Sequence, residues 1–223
     1  MPDRSTTRER ILEVSRELFN ENGYAATPVS EIAARAGIAT GNLTYHFATK
    51  RELARELEKR ARQQMREARA GLQTGALASD YVEILRFGMT MTWENRFLFR
   101  DRAQYHDGTR ARGPDRDMAT DLELLREHLR RMSKEGMFRR DVRVDLGVLA
   151  RSLFVISRYW MDHLRATEGL EKVTWADQER GLQHHFAILF PFLTAAARRE
   201  FEEALVRLAS RQAIEDVEGG NER

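Results

Sequence analysis

The chain has 223 residues, 42% hydrophobic and 32% charged, with a formal net charge of +2 and no cysteine. That length supports one large or two small domains with real cores, and the lack of cysteine excludes a disulfide framework and a thiolate metal site. A net charge so close to zero is no electrostatic footprint for nucleic acid, so such a partner has to be read from local pattern.

Only 4 prolines occur in a chain rich in Arg, Leu, Ala and Glu, which predicts a nearly all-α protein. The longest run without Asp, Glu, Lys or Arg, Gly181 to Ala197, is 17 residues. That is short of the roughly 20 a membrane span needs. With no apolar segment in MPDRSTTRER, a cytoplasmic protein with no membrane partner is expected.

Residues 1–5 read as a disordered lead. Ile11, Leu12, Ser15, Leu18 and Phe19 make one apolar stripe on a first helix, about Thr6 to Asn22, which Gly23 closes. A short second helix follows, with Thr27 as its N-cap and Pro28 at its first position. Ile32, Ala33 and Ala36 form its apolar face, and Gly37 suits the left-handed residue that ends it.

A third helix starts near Thr40. Leu43 and Phe47, four apart, stack on one side, while Gly41, Asn42 and Tyr45 point the other way with Thr44 and His46 on the flanks. An ordinary amphipathic helix carries Lys, Glu and Arg on its outer face. This one carries uncharged hydrogen-bonding and aromatic groups, the face with which a helix-turn-helix reads a DNA major groove.

Thr49, Lys50, Arg51 and Glu52 spell a capping box that opens a long fourth helix to about Ala70. From Lys50 to Arg69 there are eight Lys/Arg and four Glu, most of them a solvated face. Gly71 and Gly75 mark a break. A fifth helix, Asp80 to Glu94, is apolar most of the way round and therefore reads as buried. A sixth element starts at Phe97 and ends near His106, and 107–114 is a polar loop.

Met118, Leu122, Leu125, Leu129 and Met132 stripe a seventh helix, 115–135. An eighth, about 146–167, is capped by Asp145. A ninth, about 175–190, ends at Pro191, and a tenth, from Ala195 to about Gln212, is capped by Thr194. The tail EDVEGGNER reads as disordered.

Residues 7–53 resemble the N-terminal domain of TetR-family transcriptional regulators. The resemblance rests on Arg10, Ile11, Leu18, Phe19, Gly23, Tyr24, Thr27, Ile32, Ala33, Ala36, Gly37, Gly41, Leu43, His46, Phe47 and Lys50. The family's usual Tyr directly after the Leu of the reader helix is Thr44 here, with Tyr45 next in line for that contact. Residues 96–140, a Trp160-containing eighth helix and the Pro191-Phe192-Leu193 ending also resemble the C-terminal domain of one TetR subgroup.

The resemblance implies an all-α fold with a helix-turn-helix domain (1–49), a connecting helix (50–71), an effector-binding and dimerisation domain (72–213) and a tail (214–223). It implies a homodimer on a palindromic double-stranded DNA operator, released by a small-molecule effector when the fourth helix tilts. Asn42 and Tyr45, helped by Thr44, are the candidates for base edges. Thr27, Thr40, Lys50 and Tyr45 are candidates for phosphate. Gly41 permits close approach, and His46 packs beside the turn.

The effector site is expected among Phe87, Met91, Trp93, Phe97, Tyr105, Met118, Leu125 and Phe154, suiting a hydrophobic or aromatic molecule oriented by Tyr105, His106, Arg158 or His163. Phe154, Trp160, Phe186 and Phe190 are the expected dimer contacts.

Two other classes compete with this one. An enzyme lacks support: there is no Walker loop, HExxH or GxSxG, and adjacent His184 and His185 point about 100° apart on a helix. No metal or cofactor is expected. The alternative is a protein-interaction module on the same fold that has lost specific DNA binding, against which Thr27, Gly41, Asn42, Tyr45 and Lys50 argue.

Overall fold

A computed structural model describes residues 6–71, 75–106, 116–169 and 174–219. Among these the regular structure is helical, apart from one isolated bridge between Phe138 and Leu193. The order is α1 (Thr7–Asn22), α2 (Val29–Arg35), α3 (Thr40–His46), α4 (Lys50–Gly71), α5 (Leu77–Glu94), α6 (Phe97–Arg100) and α7 (Arg102–Tyr105). It continues with α8 (Arg116–Lys134), α9 (Leu146–Glu168), α10 (Trp175–Leu189), a 3₁₀ turn at Phe190–Phe192, and α11 (Ala195–Gly219). Residues 1–5 and the 107–114 loop lie outside the described residues.

Several helix ends are set by local side-chain caps. Thr6 and Glu9 form a reciprocal capping box on α1, and Asp145 accepts from the Gly147 and Val148 amides at the start of α9. Pro191 stops α10 and turns the chain through the 3₁₀ segment. The tail differs from expectation. α11 continues to Gly219, and residues 220–223 lie outside the described residues.

The chain folds as two compact units. The first comprises Met1–Glu67 and Thr90–Pro114, the second Ala68–Met89 and Asp115–Arg223. The expected domain 72–213 puts Phe97 to His106 with the second half, whereas α6 and α7 cluster with α1 to α4.

In the first unit, Ile11, Leu12, Leu18 and Phe19 of α1 meet Ile32, Leu43, Leu53, Leu57, Phe97 and Tyr105 in one buried core. Each such side chain contributes about 1.5–3 kcal/mol by leaving water. A polar clamp then fixes the segment after α5 to the end of α1. The Arg100 guanidinium donates to the Phe19 carbonyl at 2.6 Å, and buried Asp101 accepts from the Tyr24 amide at 2.8 Å. Asn20 donates to the Glu94 carbonyl at 2.6 Å and accepts from the Phe97 amide at 3.1 Å.

The second unit's core runs through Tyr81, Val82, Leu129, Met132, Leu149, Leu153, Phe186, Leu189 and Phe201. A polar chain crosses it. The Tyr81 hydroxyl lies 2.7 Å from His185 Nε2, His185 Nδ1 lies 2.8 Å from Ser157 Oγ, and Ser157 donates to the Leu153 carbonyl. Since the serine proton goes to that carbonyl, Nδ1–H donates to Ser157 and Tyr81 donates to Nε2. α5, α9 and α10 each supply one member.

Burial holds His185 neutral, with its pKa pushed down to about 3, and burial also lowers that of His128. An unfolded histidine takes up a proton below about pH 6.5, whereas native His185 does so only near pH 3. Stability from this group is therefore present above pH 6.5 and lost as pH falls through that window. Urea titrations should show the second unit losing about 1 kcal/mol between pH 6.5 and 5.5, and a His185→Gln variant should show a flatter profile.

Candidate nucleic-acid interface

The α2–turn–α3 element is built by backbone chemistry. Gly37 adopts φ +66°, its amide bonds the Ala34 carbonyl at 3.1 Å, and the Ile38 amide bonds the Ala33 carbonyl at 3.0 Å. That pair of bonds satisfies the carbonyls at the end of α2 and lets the chain reverse within four residues. α3 then buries Leu43 and leaves Thr40, Gly41, Asn42, Thr44 and Tyr45 exposed, with Tyr45 86% accessible. His46 is half-buried and packs edge-on to Tyr45 at 5.6 Å. A Cβ on Gly41 would meet nothing within 4 Å, so its side of the helix is open.

Thr44 has a local role. Its hydroxyl donates to the Gly41 carbonyl at 2.9 Å, folding the short side chain back onto its own helix. Tyr45 is thereby the longest group projecting from this face.

Two expected phosphate contacts are assigned other work. Thr27 is fully buried, and its hydroxyl donates to the Gly23 carbonyl at 2.8 Å, with the Leu18 carbonyl at 3.3 Å. It ties the end of α1 to the entry of α2, whose N-cap is Pro28. Lys50 places its ammonium 2.7 Å from the Tyr24 carbonyl, 2.9 Å from that of Thr27 and 3.3 Å from that of Ala25. It also sits 4.5 Å from the Tyr24 ring centroid, and partial burial lowers its pKa. Its three donors are matched by three carbonyls, so it fastens α4 to the α1–α2 loop.

Lys50→Met should cost about 2 kcal/mol of stability, the scale of hydrogen bonds to a charged group. It should leave the dependence of DNA affinity on salt unchanged. A salt slope smaller by about one would instead make Lys50 a phosphate contact.

With this geometry in hand, comparison with known proteins decides the family. Residues 11–57 match the model for bacterial regulatory proteins of the tetR family, and residues 57–201 match that for bacterial transcriptional repressors of the TetR type. The chain belongs to the TetR family.

Among individual relatives, this TetR-family chain is 46% identical over 50 residues to the transcriptional regulator QacR of Staphylococcus aureus, covering 22% of this chain and 27% of QacR. It is 43% identical over 53 residues to the repressor KstR2 of Mycobacterium tuberculosis, covering 24% and 26%. The matched stretch thus spans about a quarter of the length of these curated relatives.

In three dimensions the chain is similar to a TetR-family regulator from Marinobacter aquaeolei, with a TM-score of 0.71 at 20% identity over 91% of this chain and 97% of that one. A γ-butyrolactone receptor gives 0.66 at 20%, over 92% and 97%. At these identities the likeness shows the fold.

The expected effector residues are divided between the two units. Phe97 and Tyr105 are fully buried in the first unit, Phe97 5.2 Å from the Phe19 ring and Tyr105 5.5 Å from that of Tyr24. They are core of the first unit, and the Tyr105 hydroxyl is satisfied by the Leu98 carbonyl at 3.0 Å. His106 lies 2.8 Å from Glu58 in the same unit. Met91 is buried there, and Trp93 is half-buried under Arg96.

Phe87, Met118, Leu125 and Phe154 are half-buried in the second unit, where His163 stacks on Trp160 and Arg158 on Tyr159. Sequence reasoning missed the Tyr81–His185–Ser157 chain. The signal available was His185 lying on the apolar face of α10 with Leu182, Phe186 and Leu189.

The expected dimer residues are also redistributed. Phe186 and Trp160 are buried within the chain, Trp160 donating to the Asp177 carbonyl at 2.7 Å with Gly181 against its ring. Phe154 and Phe190 are half-buried. The apolar groups left facing outward on α9 are Val148, Val155 and Tyr159, at a 7- and 4-residue spacing that puts them on one face.

Proposed function

We propose that this TetR-family chain is a repressor that binds a palindromic operator as a homodimer and is released by a small hydrophobic or aromatic effector. The observation that carries the reading is the outer face of α3, where Asn42 and Tyr45 are exposed beside Gly41 while Leu43 anchors the helix below. An amide can bond adenine bidentately, and an aromatic ring can contact a thymine methyl. Thr40 and Tyr45 are the phosphate contacts, which set orientation and carry no sequence information.

The Val148–Val155–Tyr159 stripe supports self-association, because a helix whose two faces are both apolar calls for a neighbour on each. Joint Val155→Glu and Tyr159→Glu substitution should weaken self-association about 30-fold or more by sedimentation, and unchanged association would place the interface elsewhere.

Phe87, Met118, Leu125 and Phe154 remain the aromatic and aliphatic groups available to an effector in the second unit. The effector must prefer one state of the protein over the other, and bound DNA then lowers effector affinity by the same factor. Footprinting on a selected DNA fragment tests the symmetry. The expected pattern is two half-sites about 34–36 Å apart, or a multiple of that, related by a two-fold axis. A single unsymmetrical footprint would contradict the dimeric operator.

A further inference from the structure

α5 is one helix that supplies residues to both units, since the division falls between Met89 and Thr90. Each end is held by its own unit. On the second-unit side Ala78, Tyr81 and Val82 are buried in the core, and Tyr81 joins the chain to His185 while its ring meets Phe201 edge-on at 5.5 Å. On the first-unit side the Glu94 carbonyl accepts from Arg16 at 2.9 Å and from Asn20 at 2.6 Å, both on α1. Asn95 is buried there and bonds the Met91 carbonyl at 3.0 Å.

Gly88 lies between the two anchors, next to the division. Glycine is among the least favourable residues in a helix interior, so its presence needs a reason. Within this chain's own packing, neither a left-handed backbone nor a close neighbour requires it. Gly88 does not adopt a positive φ, and a Cβ built on it would meet nothing within 4 Å. Alanine would fit and would strengthen the helix. What glycine adds at this position is freedom to bend, in a helix whose halves are fixed to different bodies.

We propose that α5 is a hinged connector, bending at Gly88, through which the state of the second unit reaches the α1 end that braces the reader. This rests on the DNA-binding reading above and adds its route of regulation. It differs from the expectation that α4 is the lever. Among the described side chains of α4 the buried ones, Leu53, Ala54 and Leu57, belong to the first unit, with none between Glu58 and Ala68.

Hydrogen–deuterium exchange on the full-length protein, free and bound to a genomic DNA fragment that it selects, tests the connector. DNA should protect α3 and also change exchange of the α5 amides on the second-unit side of Gly88 by about threefold or more. Gly88→Ala should keep the α3 protection and lose the distant α5 response. An α5 response absent from the wild-type protein, or undiminished in Gly88→Ala, would overturn the connector while leaving DNA binding intact. Absence of α3 protection in the wild type would instead remove the DNA-binding reading and the connector with it.

Discussion

Replacing Asp101 with alanine should destabilise the DNA-reading unit by about 3 kcal/mol, a cost set by breaking a buried ion pair and orphaning a buried amide. Asp101 is 5% exposed and accepts three bonds: one from the Tyr24 amide at 2.8 Å and two from the Arg100 guanidinium at 2.9 and 3.0 Å. With the carboxylate gone, the Arg100 charge is left to the Phe19 and Asn20 carbonyls, and the Tyr24 amide faces an apolar core. Partial exposure of Arg100 keeps the loss below the upper end of the range for a broken buried pair.

The loss should appear as faster hydrogen exchange of α1 amides and a lower urea midpoint. DNA affinity should fall with it, since α1 braces α2 and α3. Asp101→Asn, which keeps an acceptor, should lose about half as much. A change in Asp101→Ala below about 1 kcal/mol would mean that the apolar core alone holds α6 and α7 in place.

Substitution at Asn42 and at Tyr45 should act on DNA alone. Each removal is expected to weaken operator binding by about 10- to 100-fold, the 1–3 kcal/mol carried by a good base contact. The double variant should approach the protein's non-specific affinity. Both side chains are exposed, so the unfolding midpoint should stay at the wild-type value. Both are uncharged, so the slope of affinity against salt should also be kept. A Tyr45→Phe variant separates the two roles of that residue, since the ring keeps its apolar contact with a base while the phenol's bond to phosphate is lost. If neither single variant changes affinity by more than about threefold, α3 does not read bases.

The parts of this molecule legible in its sequence are those governed by local rules. The α2–turn–α3 element was readable because Gly37, the Leu43 and Phe47 spacing and the uncharged outer face each follow from chemistry within a few residues. The caps on α9 and α11 were readable for the same reason.

The affiliation of α6 and α7 was not. Their clamp to α1 joins Asp101 to Tyr24 and Arg100 to Phe19, residues 77 and 81 positions apart, and no periodicity encodes a contact of that kind. The same gap turned Phe97 and Tyr105 from candidate effector contacts into core. Lys50 shows a subtler limit. Its position at a helix start suits a phosphate, but three backbone carbonyls converge on the same ammonium, and only coordinates reveal them. On α9 the stripe was visible, but Trp160 is buried while the smaller Val148 and Val155 face outward. Side-chain size does not say which of two apolar faces the chain itself covers.

On the proposed function, the α3 face reads DNA sequence. Selection of genomic fragments by the purified protein, run side by side with the Asn42→Ala, Tyr45→Ala double variant and read by sequencing, tests it most directly. The predicted result is enrichment of a two-fold symmetric sequence by the wild-type protein and its loss in the double variant, with both proteins equally folded. Enrichment of the same fragments by both, or of none by the wild type at low salt and after refolding to strip any bound ligand, would contradict it.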